Sequence, residues 1–149
     1  MTNFLITFEA TQELTEGLAL AFGLGAVQRG GNIRLRHLSP AESAHLAHQG
    51  YGRLKAEDLA WAECLAVGIE AAELNPDLEE LLRAVRAFAG RDALAAKRAF
   101  VFGTDGAALA YVREALSDSG MQPIEEDPAA WELSPERMML AGNRLAEMR

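Results

Sequence analysis

Lys97-Arg98-Ala99-Phe100-Val101-Phe102-Gly103-Thr104-Asp105-Gly106 is the stretch on which the fold turns. A short apolar run stops at a glycine-rich turn, and a helical pattern begins at once. Ala108, Leu109, Val112, Ala115 and Leu116 recur at helical spacing over 107–118, and Gly120 closes the run. This reads as a buried strand feeding the N-terminus of a helix, where backbone N–H groups can hold an anion or the polar edge of a ring. A tight strand-to-helix turn with Asp105 as N-cap is the structural alternative at the same residues.

The same layout recurs along the chain. Asn3 to Phe8 reads as a buried strand. A helix over 11–28 follows, with Thr11 as N-cap and Leu14, Leu18, Ala21, Phe22 and Gly25 on one face. Gly23-Leu24-Gly25 inside it marks a close-packing point, and Gly30-Gly31 ends it. Asn32 to Leu38 alternates as a strand with one face exposed does, so it belongs near a sheet edge. Ser39-Pro40 opens a helical stretch to about His48, and Gln49-Gly50-Tyr51-Gly52 reads as a loop. Ala56 to Glu63 is a short helical turn before the apolar strand Cys64 to Ile69. A helix over 74–89 has Leu74, Leu78, Leu81, Leu82, Val85 and Phe88 on one face. Met121 to Glu125 reads as a last strand, and Ser134-Pro135-Glu136 starts a final helix. Strand and helix alternate throughout with no linker, repeat or low-complexity tract. That pattern predicts one α/β domain over 1–149, a three-layer α/β/α stack around a parallel sheet.

Composition narrows the function classes. Half of the 149 residues are hydrophobic, enough for a full core. The net charge of −8 disfavours nucleic acid and suits steering toward a basic protein partner. No apolar run approaches the ~20 residues needed to span a bilayer, and Met1-Thr2-Asn3 lacks the basic start of a secretory signal. The lone Cys64 cannot form an internal disulfide, and its place in an apolar strand predicts a buried, inert thiol in a cytoplasmic protein.

With the elements laid out, the chain resembles the flavodoxin-like family, in particular its short-chain flavodoxin and quinone-reductase branch. Three phrases carry the resemblance beyond the layout: Glu57-Asp58-Leu59-Ala60-Trp61-Ala62-Glu63 before an apolar strand, Lys97 to Gly106, and Trp131-Glu132-Leu133-Ser134-Pro135-Glu136 with Gly142-Asn143-Arg144-Leu145-Ala146. The resemblance implies a five-stranded sheet in the order 2-1-3-4-5, with FMN at the C-terminal ends of the first, third and fourth strands. It also implies association into a homodimer through helical faces.

The implied FMN loops are Glu9, Ala10, Thr11, Gln12 and Thr15; Glu70 and Ala71; and Gly103, Thr104, Asp105 and Gly106. A phosphate cradle needs small residues and hydroxyls around converging N–H groups. In the first loop Gln12 stands where the family has glycine, and Glu9 and Glu13 would face a dianion. The second loop is short and has no aromatic to cover a ring, and the third keeps its glycines. The expectation is a flavodoxin-like protein with a degenerate FMN site, serving as a binding or interaction module without strong flavin binding. The alternative is an FMN-binding electron-transfer flavoprotein or quinone reductase.

Other constellations read as structure. Glu42, His45 and His48 share a helix face at a spacing that a metal could use, but no further ligand set accompanies them. No nucleophile elbow, Walker loop or dinucleotide fingerprint is present. Trp61 and Trp131 stand outside the ring loops and read as packing residues, as do Met138, Met139 and Met148.

Overall fold

The computed structural model describes residues 2–9, 13–38, 52–53, 55–70, 76–87, 94, 96–103, 105–124 and 134–147. In chain order the elements are β1 (Asn3–Phe8), α1 (Glu13–Gln28), β2 (Asn32–His37), β3 (Gly52–Arg53) and α2 (Ala56–Trp61). They continue with β4 (Cys64–Ile69), α3 (Pro76–Ala87), β5 (Arg98–Gly103), α4 (Gly106–Asp118), β6 (Gln122–Pro123) and α5 (Pro135–Glu147).

All strand pairs are parallel, in the order β3-β2-β1-β4-β5-β6. The five expected strands are β1, β2, β4, β5 and β6, and they hold the expected order 2-1-3-4-5. The loop expected through Gly52 is corrected: Gly52 and Arg53 pair with Arg36 and His37 as a two-residue strand outside β2. At the other edge β6 is equally short and contains Pro123, a residue that an edge tolerates because it has no N–H to donate.

The sheet is apolar on both faces. On one face Leu5, Leu65, Val67, Ala99 and Val101 pack under α2, α3 and α4. On the other, Phe4, Ile6, Phe8, Ala66, Phe100 and Phe102 pack under α1 and α5. The second cluster is built on rings: Phe22 stacks on Phe100 at 5.2 Å and meets Phe4 edge-on at 5.8 Å. Such pairs contribute roughly 0.5–1.5 kcal/mol beyond the area they bury. Cys64 lies in this layer, fully buried, and burial pushes its thiol up to about 12 although Arg98 acts in the opposite direction. It is the inert thiol that the sequence predicts.

α1 and α5 cross at backbone contact. A Cβ at Gly25 would lie 2.0 Å from the Met139 carbonyl oxygen, and one at Gly142 would lie 2.2 Å from that of Phe22. Asn143 adds a polar clasp, its Nδ2 donating to the Gly25 carbonyl at 2.6 Å. The close-packing point read at Gly23 to Gly25 is therefore a helix crossing.

β1 carries a buried polar atom that nothing around it answers. Among the described residues Thr7, fully buried in β1 between Arg36 and Val67, has a hydroxyl with no hydrogen-bond partner. Leaving such a group dry costs on the order of 1–3 kcal/mol. Thr7→Val keeps the shape and removes the group, so it should raise the urea midpoint by an amount equivalent to about 1 kcal/mol.

Candidate functional site

The topology places a crevice where the chain changes direction across the sheet, between the C-terminal ends of β1 and β4. Glu9, one residue beyond β1, extends the ladder by donating its N–H to the Gly68 carbonyl at 3.0 Å. On the opposite side Leu38 donates to the Phe8 carbonyl at 2.8 Å. The Glu9 side chain then turns across the crevice: its Oε1 accepts from the Glu70 N–H at 2.9 Å, and the residue is only 5 % exposed. The first and second loops are thus tied together by a carboxylate.

β5 brings the third loop alongside. Gly103 stands in register with Ile69, and its φ of +151° lies outside the range that side chains ordinarily adopt. A Cβ there would sit 2.2 Å from the Ile69 carbonyl oxygen, so only glycine lets β5 approach the end of β4. Asp105 is the N-cap of α4, with its Oδ1 accepting from the N–H groups of Ala107 and Ala108, both at 3.1 Å. Two of the four orphan donors at that helix start are therefore answered from within the chain. Gly106 has open space around it.

Of the expected site residues, Glu9, Glu70 and Gly103 converge at the ends of three adjacent strands, with Asp105 and Gly106 beginning the next helix. Thr15 is buried in the first turn of α1, at helical spacing with Ala19, Phe22 and Ala26, the residues α1 packs in the core. Ala10, Thr11, Gln12, Ala71 and Thr104 lie outside the described residues, as do Glu42, His45, His48, Trp131 and Met148. Among the described residues no cluster of three or more His, Cys, Asp or Glu is placed to hold a metal. No helix among them is long and apolar enough to cross a membrane.

Sequence reasoning missed one charged cluster. Asp58 of α2 is 1 % exposed and takes Arg36 through Nε at 3.0 Å and Nη2 at 3.3 Å, and Arg34 through Nη1 at 3.2 Å. Its Oδ2 also accepts from the Lys55 N–H at 3.0 Å. Trp61 completes the group, its ring 4.2 Å from the Arg34 guanidinium. Burial works to raise the Asp58 carboxyl, but the Lys55 N–H, Arg36 and Arg34 outweigh it and hold the group below the usual carboxylate range. The cluster roofs the β2 end of the sheet, so the face of β2 read as exposed is partly covered. The alternation Arg34-Leu35-Arg36 was the available signal, but its partner is more than twenty residues away on another element.

No protein-family model and no curated protein matches the chain. Solved structures do. A flavodoxin from the domain Archaea superposes with a TM-score of 0.68 at 17 % identity, covering 97 % of this chain and 96 % of its own. Oxidised flavodoxin 2 from Bacillus cereus gives 0.66 at 17 % identity, covering 97 % and 94 %. The NAD(P)H:quinone oxidoreductase from Methanothermobacter marburgensis gives 0.64 at 16 % identity, covering 99 % and 98 %. Matching strand order and end-to-end coverage of these flavoproteins show that this chain has the flavodoxin-like fold.

Proposed function

We propose that this protein is a flavodoxin-like binding or interaction module whose FMN site is degenerate. The observation that carries the reading is the Glu9 carboxylate on the Glu70 N–H, buried at the switch-point crevice. An anion cradle needs backbone donors that are free to converge on a ligand. Here the donors of Glu70, Ala107 and Ala108 are engaged by the chain's own Glu9 and Asp105. A phosphate dianion brought within ~5 Å of a carboxylate meets a repulsion of roughly 3 kcal/mol per pair of unit charges at an effective dielectric of 20. On this reading the carboxylate of Glu9 and the engaged donors of the second and third loops disfavour a bound FMN, and no redox step is assigned to the described residues. The single buried Cys64 accords with a cytoplasmic protein, and the net charge of −8 with a basic protein partner.

The alternative, an FMN-dependent electron carrier or quinone reductase, draws support from the named neighbours and from the open space at Gly106. One titration separates the two. The purified protein is expected to be colourless and to bind added FMN with a Kd weaker than ~10 µM. A yellow preparation with flavin absorption bands, or a tighter Kd, overturns the degenerate-site reading.

A further inference from the structure

β2 is open along part of its outer edge. The N–H groups of Asn32 and Leu38 bond back to the carbonyls of Thr2 and Phe8, so alternate residues of β2 face β1. The intervening residues Ile33, Leu35 and His37 turn their backbone outward. β3 reaches only Arg36 and His37. Among the described residues the Ile33 N–H and C=O and the Leu35 N–H therefore meet no partner. Unpaired donors and acceptors along a sheet edge are a template for an added strand.

The groove beside that edge is apolar. Ile33 and Leu35 are half-buried and pack against the α1 side of the core. α1 comes down on them at Gly23, where a Cβ would lie 3.1 Å from Ile33 Cδ1. Leu20 and Val27 stand three residues before and four residues after Gly23, on the same side of the helix, and are 40 % and 48 % exposed. They wall a trough about 10 Å long, enough for about three residues of extended chain.

The opposite face of the edge is cationic. Arg34 and Arg36 share one carboxylate, that of Asp58, which leaves positive charge in excess within a chain of net charge −8. Arg34 lies between the two open residues and uses only Nη1 on Asp58. Its other guanidinium N–H groups meet no acceptor among the described residues, and its side chain is 35 % exposed.

We infer that the outer edge of β2 takes an extended acidic segment of another protein as an added strand. The segment's backbone pairs with Ile33 and Leu35, and its apolar side chains enter the trough between Leu20 and Val27. A carboxylate on the alternate face reaches Arg34. The crevice of Glu9 and Glu70 lies between β1 and β4, so binding at this edge and the outcome of the FMN titration are independent.

NMR of the 15N-labelled protein with the hexapeptide acetyl-Glu-Val-Glu-Val-Glu-Val-amide tests this. Without peptide, the Ile33 and Leu35 amides should exchange with solvent at least about 100-fold faster than those of Arg34 and Arg36, which face β1. With peptide, shifts should centre on Ile33 to Leu35, Leu20 and Val27 and saturate with a Kd of about 0.1–1 mM. Leu20→Glu and Val27→Glu should each weaken binding at least about fivefold with an unchanged circular dichroism spectrum, and so should lysine in place of glutamate in the peptide. Methylating the peptide's backbone nitrogens should abolish binding. Slow exchange at Ile33 and Leu35 without peptide overturns the proposal, because the edge is then already covered by this chain or by a second copy. So does a peptide that causes no shift at ~2 mM, a methylated peptide that binds as well as its parent, or a lysine peptide that binds as tightly as the glutamate one.

Discussion

Gly142→Ala is expected to destabilise the protein by about 2–4 kcal/mol, and Gly25→Ala by a similar amount. Helix propensity alone predicts the opposite sign, because alanine is better than glycine in a helix interior by about 1 kcal/mol. Packing decides the outcome. The new methyl would stand 2.2 Å from the Phe22 carbonyl oxygen in the first case and 2.0 Å from that of Met139 in the second. Neither obstacle is a side chain that can rotate away, so α1 and α5 must separate and loosen the cluster that includes Leu18, Phe22, Met138 and Leu145. For a chain of this size the loss corresponds to a fall in Tm on the order of 5–15 °C. Gly17→Ala is the internal control. It lies in α1 with nothing near its would-be Cβ, so propensity acts alone and a gain of about 0.5–1 kcal/mol is expected. Thermal melts of the three variants at one protein concentration check the sign reversal within a single helix.

The second large effect belongs to Asp58. Asp58→Ala should cost about 2–4 kcal/mol, since it strips two arginines of their shared partner and leaves the Lys55 N–H unanswered. The figure is set below that for a fully buried pair because Arg34 and Arg36 keep part of their surface in water. The effect has a pH signature. The Asp58 carboxyl is held below its ordinary value when folded, so the unfolded chain takes up its proton first as pH falls. The stabilisation is complete above the ordinary aspartate pKa of about 3.9 and is lost as pH drops through the folded value. Asp58→Asn should therefore be less stable than wild type by a constant amount between about pH 6 and 8, with the gap closing below about pH 4. Urea unfolding across that range measures it. A gap that stays constant down to pH 3 would refute the ionic origin of the effect.

The contrast between these two regions explains how much the sequence discloses. The alternating strands and helices of a parallel α/β sheet were legible because each apolar run ends at a turn and a helical period starts immediately, as at Phe102-Gly103 and Asp105-Gly106, whereas the order 2-1-3-4-5 came from the family resemblance. Gly25 was legible as a packing point, since two glycines inside an apolar helix imply that something approaches. What approaches was not, because Met139 is more than a hundred residues away and no local pattern encodes a helix crossing. The Asp58 cluster was hidden for the same reason: α2 has its own capping logic, β2 has its own alternation, and only the folded sheet brings them together. At the crevice the carboxylate of Glu9 was visible as a poor neighbour for phosphate. Its bond to Glu70 was not, since it depends on β1 and β4 being adjacent although far apart in the chain.

The α1/α5 crossing also fixes a sequence of events during synthesis. Gly25 and Asn143, joined by a hydrogen bond, are 118 residues apart. At ~5–20 residues per second, α1 leaves the ribosome on the order of ten seconds before the helix that must cover it exists. Through that interval the nascent chain presents Leu18, Phe22 and the phenylalanines of β1 with one flank missing. A chain halted before α5 would not merely lack its last helix; it would expose the side of the sheet on which its aromatic rings are stacked.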